Sequence, residues 1–252
     1  MQTIDLNADL GEGYGPWSMG DDAALLDIVS SANVACGGHA SDPDTMFRTL
    51  ELAKAKGVTV GAHPGFPDPL GFGRRRLPMS AAEIERFVAA QTGSLIGIGG
   101  LAGVSIAYLK AHGALANWAA EDATIAAALV RACRALGNLP ILAISGTRIE
   151  TVARDAGLPV YSEIFADRGL RADGTLVPRG EPKAMIIDAA VAAVRLVDFS
   201  RTGKLDAVTG EPLSLAAQSV CVHGDSADAV AMARTVKEAL VGAGITIRPF
   251  VQ

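Results

Sequence analysis

The stretch Asp5-Leu6-Asn7-Ala8-Asp9-Leu10-Gly11-Glu12 decides how the chain is read, because a short apolar strand runs straight into carboxylates and a glycine. Residues 1–6 have the brevity and alternation of a buried strand, so Asn7, Asp9 and Glu12 are expected together at or just beyond its carboxyl end. Asp5 and Asn7 share one face of that strand, and Asp9 follows them. Any one of Asn, Asp or Gly suits a turn. Three acids within eight residues of a strand end favour a functional site instead.

Outward from this stretch the same unit recurs. Residues 21–30 have helical spacing, and residues 32–35 form a strand ending in Cys36-Gly37-Gly38-His39. Ser41-Asp42-Pro43-Asp44 reads as a Ser-capped helix start, and Gly57 as its stop. A third strand, 58–62, ends in His63-Pro64-Gly65, and Ser80-Ala81-Ala82-Glu83 caps the next helix. Residues 105–109 form a strand ending in Lys110-Ala111-His112-Gly113, with 121–136 as its helix. Strands at 140–144 and 160–164 follow, separated by a helix over 147–156, and the second runs into Phe165-Ala166-Asp167-Arg168. A mostly helical 183–199, a strand at 219–222 ending in His223-Gly224-Asp225, a helix over 227–241 and a strand over 245–250 complete the chain. Alternation of this kind fits either an open doubly wound sheet or a closed barrel. An open sheet draws its site from the few strands at a switch point, whereas a barrel gathers all strand ends at one mouth. Nearly every strand here ends in polar groups, which predicts one α/β barrel domain over 1–252, irregular, with seven or eight parallel strands.

Composition narrows the function. The chain has 252 residues, half of them apolar and 19% charged, enough for a large core. A net charge of −5 and the lack of a Lys/Arg-rich run argue against nucleic acid or anionic membrane as partner. Residues 92–109 lack charge, but five glycines interrupt them, so a helix end, a turn and a strand are expected rather than a membrane span. The first residues carry acids rather than a basic segment before an apolar core, so no secretory signal is expected. Three scattered cysteines, Cys36, Cys133 and Cys221, suit reduced thiols in a cytoplasmic protein.

All four histidines, His39, His63, His112 and His223, sit just after predicted strands. A single one is ordinarily structural, but four at one rim with Asp9 point to one site. Each is flanked by glycine or proline, which lets the backbone approach a ligand. These imidazoles with Asp9 suit acid and base chemistry, or a divalent metal in a two-His, one-carboxylate set. Arg74-Arg75-Arg76 reads equally well as an anion contact or as solvated loop, Arg168 as a carboxylate clamp or, less readily, as the partner of Asp167 in a pair that orders the loop, and Lys110 as a substrate contact or as the charge holding Asp9 ionised. Neither a GxxxxGK[ST] loop nor a GxSxG elbow is present.

Seven stretches taken together resemble the LamB/YcsF family: residues 5–12, 32–39, 61–68, 72–75, 112–115, 163–168 and 222–225. The likeness spans almost the whole chain. Where that family commonly has Lys-Pro-His-Gly-Ala-Leu-Tyr-Asn, this chain has Lys110-Ala111-His112-Gly113-Ala114-Leu115-Ala116-Asn117, a departure that bears on substrate packing. The resemblance implies one component, the A-type subunit, of a bacterial ATP-dependent 5-oxoprolinase, which opens the lactam of 5-oxo-L-proline to L-glutamate together with B and C subunits. ATP would be bound here or by those partners, and the missing phosphate loop favours the partners. The family also resembles metal-dependent carbohydrate deacetylases of glycoside-hydrolase-like barrel fold, which implies Asp9, His63 and His112 as a metal trio. On this reading Asp9, Glu12, His39, His63 and His112 are candidate catalytic residues, and Asn7, Lys110, Arg168, His223 and Asp225 candidate substrate contacts. The rival readings are a metal-dependent amidohydrolase acting without ATP and a non-catalytic, substrate-binding component.

Overall fold

The computed structural model describes residues 2–223 and 228–251. In chain order its strands are β1 (Thr3–Leu10), β2 (Ser31–Ala35), β3 (Thr59–His63), β4 (Ile106–Leu109), β5 (Ile141–Ile144), β6 (Val160–Phe165), β7 (Lys204–Asp206), β8 (Pro212–Ser214), β9 (Ser219–Val222) and β10 (Thr246–Ile247). β1 to β6 and β9 run parallel, each bonded to the next, and β9 returns to β1. This is a closed seven-stranded barrel. β10 extends β1 at Thr3 and Ile4, and β7 and β8 form a separate antiparallel hairpin. The helices are α1 (Asp22–Leu26), α2 (Pro43–Lys56), α3 (Ala81–Ala102), α4 (Gly113–Glu121), α5 (Ala123–Ala135), α6 (Arg148–Asp155), α7 (Ala189–Thr202) and α8 (Ala229–Gly242).

Strand alternation separates two environments. Leu6, Ala8 and Leu10 point outward, joining Val34, Val60, Ile164 and Val220 in a core shared with Leu50 of α2, Leu196 of α7 and Val236 of α8. A second core under α3 to α6 joins Leu109 and Ile141 to Val88, Leu129 and Ile149. Alternate positions instead place Asp5, Asn7, Asp9, Ser31, Asn33, Glu163 and Ser219 in a buried polar layer. Branched apolar side chains dominate most (β/α) barrel interiors. Gly61 makes room for a large ring there, since a Cβ at that position would run into the Tyr108 ring. Tyr108 donates its hydroxyl to Asn33 Oδ1 at 2.7 Å.

Several boundaries differ from expectation. β1 runs to Leu10, so Asn7 and Asp9 lie within the strand and not beyond it. The cap of α2 is Asp42, whose carboxylate accepts from the Asp44 and Thr45 amides, while Ser41 takes a left-handed φ of 78° before it. α4 adds a helix where the pattern predicts none, residues 183–188 are not helical, and the final strand shrinks to two residues. The capping box of α3 forms as predicted, with Ser80 and Glu83 bonded reciprocally. Its helix continues through the glycines to Ala102, and no described helix is long and apolar enough to cross a membrane.

Candidate functional site

A buried ammonium organises the barrel interior. Lys110, just past β4, places its Nζ 3.0 Å from Asp9 Oδ1, 3.2 Å from Glu163 Oε2, 3.2 Å from Asn7 Oδ1 and 3.0 Å from Cys221 Sγ. Burial alone would raise the Asp9 carboxyl, but His63 and Lys110 overcome it and hold the group well below the ordinary carboxylate range. Burial opposes the Lys110 charge as well, yet Asp9, Cys221 and Glu163 keep it firmly protonated. Glu163 goes the other way, since burial raises it and Lys110 offsets this only in part. Asn33 steadies Asp9 by donating to Oδ1 at 2.8 Å.

Above this layer the histidines meet. His63 Nδ1 lies 2.8 Å from the Lys110 carbonyl, and His112 Nε2 lies 2.8 Å from the Phe72 carbonyl. A carbonyl only accepts, so those nitrogens carry the protons and the tautomers follow. The remaining nitrogens, His63 Nε2 and His112 Nδ1, face each other at 3.0 Å. In two neutral rings both are lone pairs. Asp9 Oδ2 lies 3.3 Å from the first and Glu12 Oε1 3.6 Å from the second, so four electron-rich atoms converge. Burial, then His39 and His63, push His112 well below the usual imidazole range, which favours the neutral ring.

His39 stacks on His112 with centroids 3.6 Å apart and planes 5° from parallel, and its Nε2 lies 3.0 Å from Glu12 Oε1. Its Nδ1 is buried without a partner. Gly73, at a φ of +61°, closes over the pair: a Cβ there would lie 2.7 Å from His39 Cβ and 2.9 Å from His112 Cδ2. Here the missing side chain lets backbone approach the histidines themselves, not a ligand. Glu12, His39, His63 and His112 each present a ligating atom within 4.8 Å of the others.

A cavity of about 230 Å³ opens onto this group, lined among others by Asp9, His63, Lys110, His112, Glu163, Arg168 and His223. Of the residues expected at one mouth, Asp9, His63, His112 and His223 therefore share it, while His39 and Glu12 stand behind them. Asn7 is not in the lining: its amide donates to Ser219 Oγ at 2.6 Å, and its carbonyl oxygen accepts from Asn33 and Lys110. Arg168 lines the cavity, but its Nε and Nη2 donate to the Ala184 and Val177 carbonyls, so the expected clamp also ties down the loop after β6. Burial lowers its guanidinium to about 10. His223 Nδ1 lies 2.8 Å from Asp167 Oδ2. Asp225 falls outside the described residues. The arginine triplet splits three ways: Arg74 lines the cavity, Arg75 pairs with Asp68, and Arg76 lies 3.7 Å over the Trp118 ring. Ala111 and Ala116, the two departures from the family pattern, both line the cavity. Rim placement does not reveal Asn33 and Glu163, although a polar residue in the middle of a buried strand is a signal in itself.

Known proteins share the fold over nearly the whole length of the chain. A solved structure described as a lactam utilization protein from Thermus thermophilus superposes with a TM-score of 0.93 at 40% identity, covering 99% of this chain and 100% of that one. A family 4 carbohydrate esterase from Streptomyces lividans shares the fold alone, at 12% identity and a TM-score of 0.50 over 98% of this chain and 91% of that one. The A-type subunit of 5-oxoprolinase from Gluconobacter oxydans (strain 621H) is 48% identical over 248 residues, 98% of each chain. The LamB/YcsF family profile matches residues 4–252, and with likeness of this extent the chain belongs to the LamB/YcsF family.

Proposed function

We propose that this chain is the ring-opening component of an ATP-dependent 5-oxoprolinase, converting 5-oxo-L-proline to L-glutamate with B and C partners that handle ATP. The observation that carries the reading is the convergence of Asp9, His63 and His112 on one small cavity in a chain 48% identical to a 5-oxoprolinase component of the same length. At about 230 Å³ the cavity is smaller than the roughly 300–1,000 Å³ of sites for drug-sized ligands, which suits a five-membered ring better than a nucleotide.

The chemistry fits these residues. A lactam carbonyl is deactivated by its nitrogen lone pair, and phosphorylating the carbonyl oxygen removes that protection. Water then needs an acceptor for its proton, and the Asp9 carboxylate, with Oδ2 3.3 Å from His63 Nε2, presents one. Arg74, Arg168 and Arg179 place positive charge along the cavity wall for the substrate carboxylate. The facing lone pairs also fit a divalent ion held by His63 and His112 with a carboxylate from Asp9 or Glu12. Bound there, it would supply a Lewis acid and lower the pKa of water.

The test is to assay 5-oxoproline hydrolysis by the purified chain, then with its B and C partners, each with and without ATP and chelator. Turnover is expected only in the full set with ATP. Ring opening by the chain alone without ATP, abolished by chelation, would establish the amidohydrolase. Full activity of an Asp9→Asn complex would reduce the chain to a substrate-binding role.

A further inference from the structure

Resting on that reading, we propose that Glu163 is the acid that protonates the departing ring nitrogen and thereby commits the phosphorylated lactam to ring opening. Glu163 is buried on β6, 2% exposed, and it lines the cavity. Its contacts with Lys110 Nζ at 3.2 Å and Asn7 Nδ2 at 3.4 Å both fall on Oε2. Oε1 accepts no hydrogen bond among the described residues, although it belongs to a side chain in the cavity wall.

Charge placement gives this carboxyl its proton. Lys110 is the one buried lysine of the described residues, and it stands between two carboxyls, Asp9 and Glu163. Asp9 faces His63 as well, whereas Glu163 has only the shared ammonium and a neutral amide. One cation cannot neutralise two buried anions, so the proton stays on the carboxyl with the poorer partners. Burial and the Asp9 charge both raise Glu163, in keeping with this. Base and acid then share one lysine.

The reaction needs an acid there for a specific reason. Water adds to the phosphorylated carbon and gives its proton to the Asp9–His63 side, leaving hydroxyl, phosphate and nitrogen on one tetrahedral carbon. Phosphate is the better leaving group, and its loss regenerates 5-oxoproline with ATP wasted. If the Glu163 proton moves to nitrogen, the carbon–nitrogen bond breaks with its electron pair going to that nitrogen. The hydroxyl gives its proton to a phosphate oxygen and becomes a carbonyl, and the product is an amine with an acyl phosphate that a second water hydrolyses. Glu163 is left as a carboxylate against Lys110. This residue thus sets the partition between glutamate formation and a futile cycle.

The experiment follows from that partition. The full complex with Glu163→Gln, which keeps the shape but carries no transferable carboxyl proton, is given 5-oxoproline and ATP in heavy-oxygen water. Glutamate formation should fall by roughly 10²–10⁴ while ATP hydrolysis falls far less, and heavy oxygen should accumulate in recovered 5-oxoproline. Added formate should restore glutamate formation to Glu163→Ala. Glutamate and ATP turnover falling together, with no label in recovered substrate, would assign Glu163 a structural role and overturn the proposal. So would a Gln variant within about threefold of the parent. A parent complex that never opens 5-oxoproline removes the underlying reading first, and that result is distinct from either.

Discussion

Asp9 is the residue on which the readings divide. It accepts from Asn33 and Lys110 on one oxygen and meets His63 with the other. Asp9→Asn keeps the shape and removes the charge. A general base lost in this way should cost roughly 10²–10⁴ in the rate of the complex, with melting temperature near the parent's. If Asp9 also ligates a metal, bound metal measured on the purified chain should fall as well. His63→Ala and His112→Ala should then lose metal in parallel. Glu12→Gln separates the two sets of ligands, because Glu12 lies 3.6 Å from His112 Nδ1 whereas Asp9 lies beside His63. Metal lost from Glu12→Gln but kept by Asp9→Asn would move the ion toward His39 and Glu12. An Asp9→Asn complex as active as the parent would leave Asp9 without a catalytic part.

At the scale of the element, the caps show what local sequence can and cannot reveal. Asp42 caps α2 with several donors, and the Gly15 amide and the Thr45 hydroxyl hold its carboxyl at about 2 instead of 3.8. Its folded pKa lies below its unfolded one, so its contribution is complete above pH 3.8 and lost as pH falls toward about 2. Asp42→Ala should therefore cost about 1 kcal/mol at neutral pH, and urea melts should show that deficit closing across this acid window. A deficit independent of pH would point to lost packing instead. The Ser80–Glu83 box was legible because both partners lie within one turn. The choice between Ser41 and Asp42 was not, because Ser41 has a left-handed backbone and its amide donates to the carbonyl of the distant Gly13. The same limit explains β1. A strand is expected to stop where carboxylates begin, since buried charge is costly, but Lys110 comes from residues about one hundred positions away to receive them. The alternation of β1 was visible in Leu6, Ala8 and Leu10. What lies inside the barrel depends on pairing across strands. The single parallel barrel followed from repeated strand ends, whereas Glu163 and Asn33 gained meaning only once β6 was seen to place Glu163 beside Lys110 and β2 to place Asn33 beside Asp9. Gly61 belongs to the same class: Gly61→Ala should destabilise by about 1–3 kcal/mol by driving a Cβ into the Tyr108 ring, read as a drop in melting temperature.

Taken as a whole, the molecule carries its polar groups in the middle and its apolar groups around them. The interior carboxyls of Asp5, Asp9 and Glu163 are each satisfied differently: Asp5 by the hydroxyls of Ser30, Ser31 and Ser219, Asp9 by Lys110 with His63, and Glu163 by Lys110 alone among charges. Such an interior trades stability for a site, since a buried ion pair rarely outperforms well-packed apolar side chains. The lysine is therefore the member whose loss should be felt most. Lys110→Met keeps much of the side-chain volume and leaves two carboxyls without their shared cation, which should cost about 3–5 kcal/mol at neutral pH. The pH dependence follows from the same contacts. Without the ammonium, Asp9 keeps chiefly His63 to hold its carboxyl low, and Glu163, already raised by burial, loses the charge that offsets that burial. Both charged forms are then stabilised less, and the variant loses stability as pH rises through the range in which the two carboxyls ionise. The deficit of Lys110→Met against the parent should thus be largest at about pH 7.5 and shrink toward about pH 4.5, as measured by denaturant melts at the two pH values. A deficit that stayed constant would show that the lysine acts through packing of its chain. A variant as stable as the parent at both would mean that the barrel interior holds its carboxyls without the ammonium, and the division of labour between Asp9 and Glu163 would need another cause.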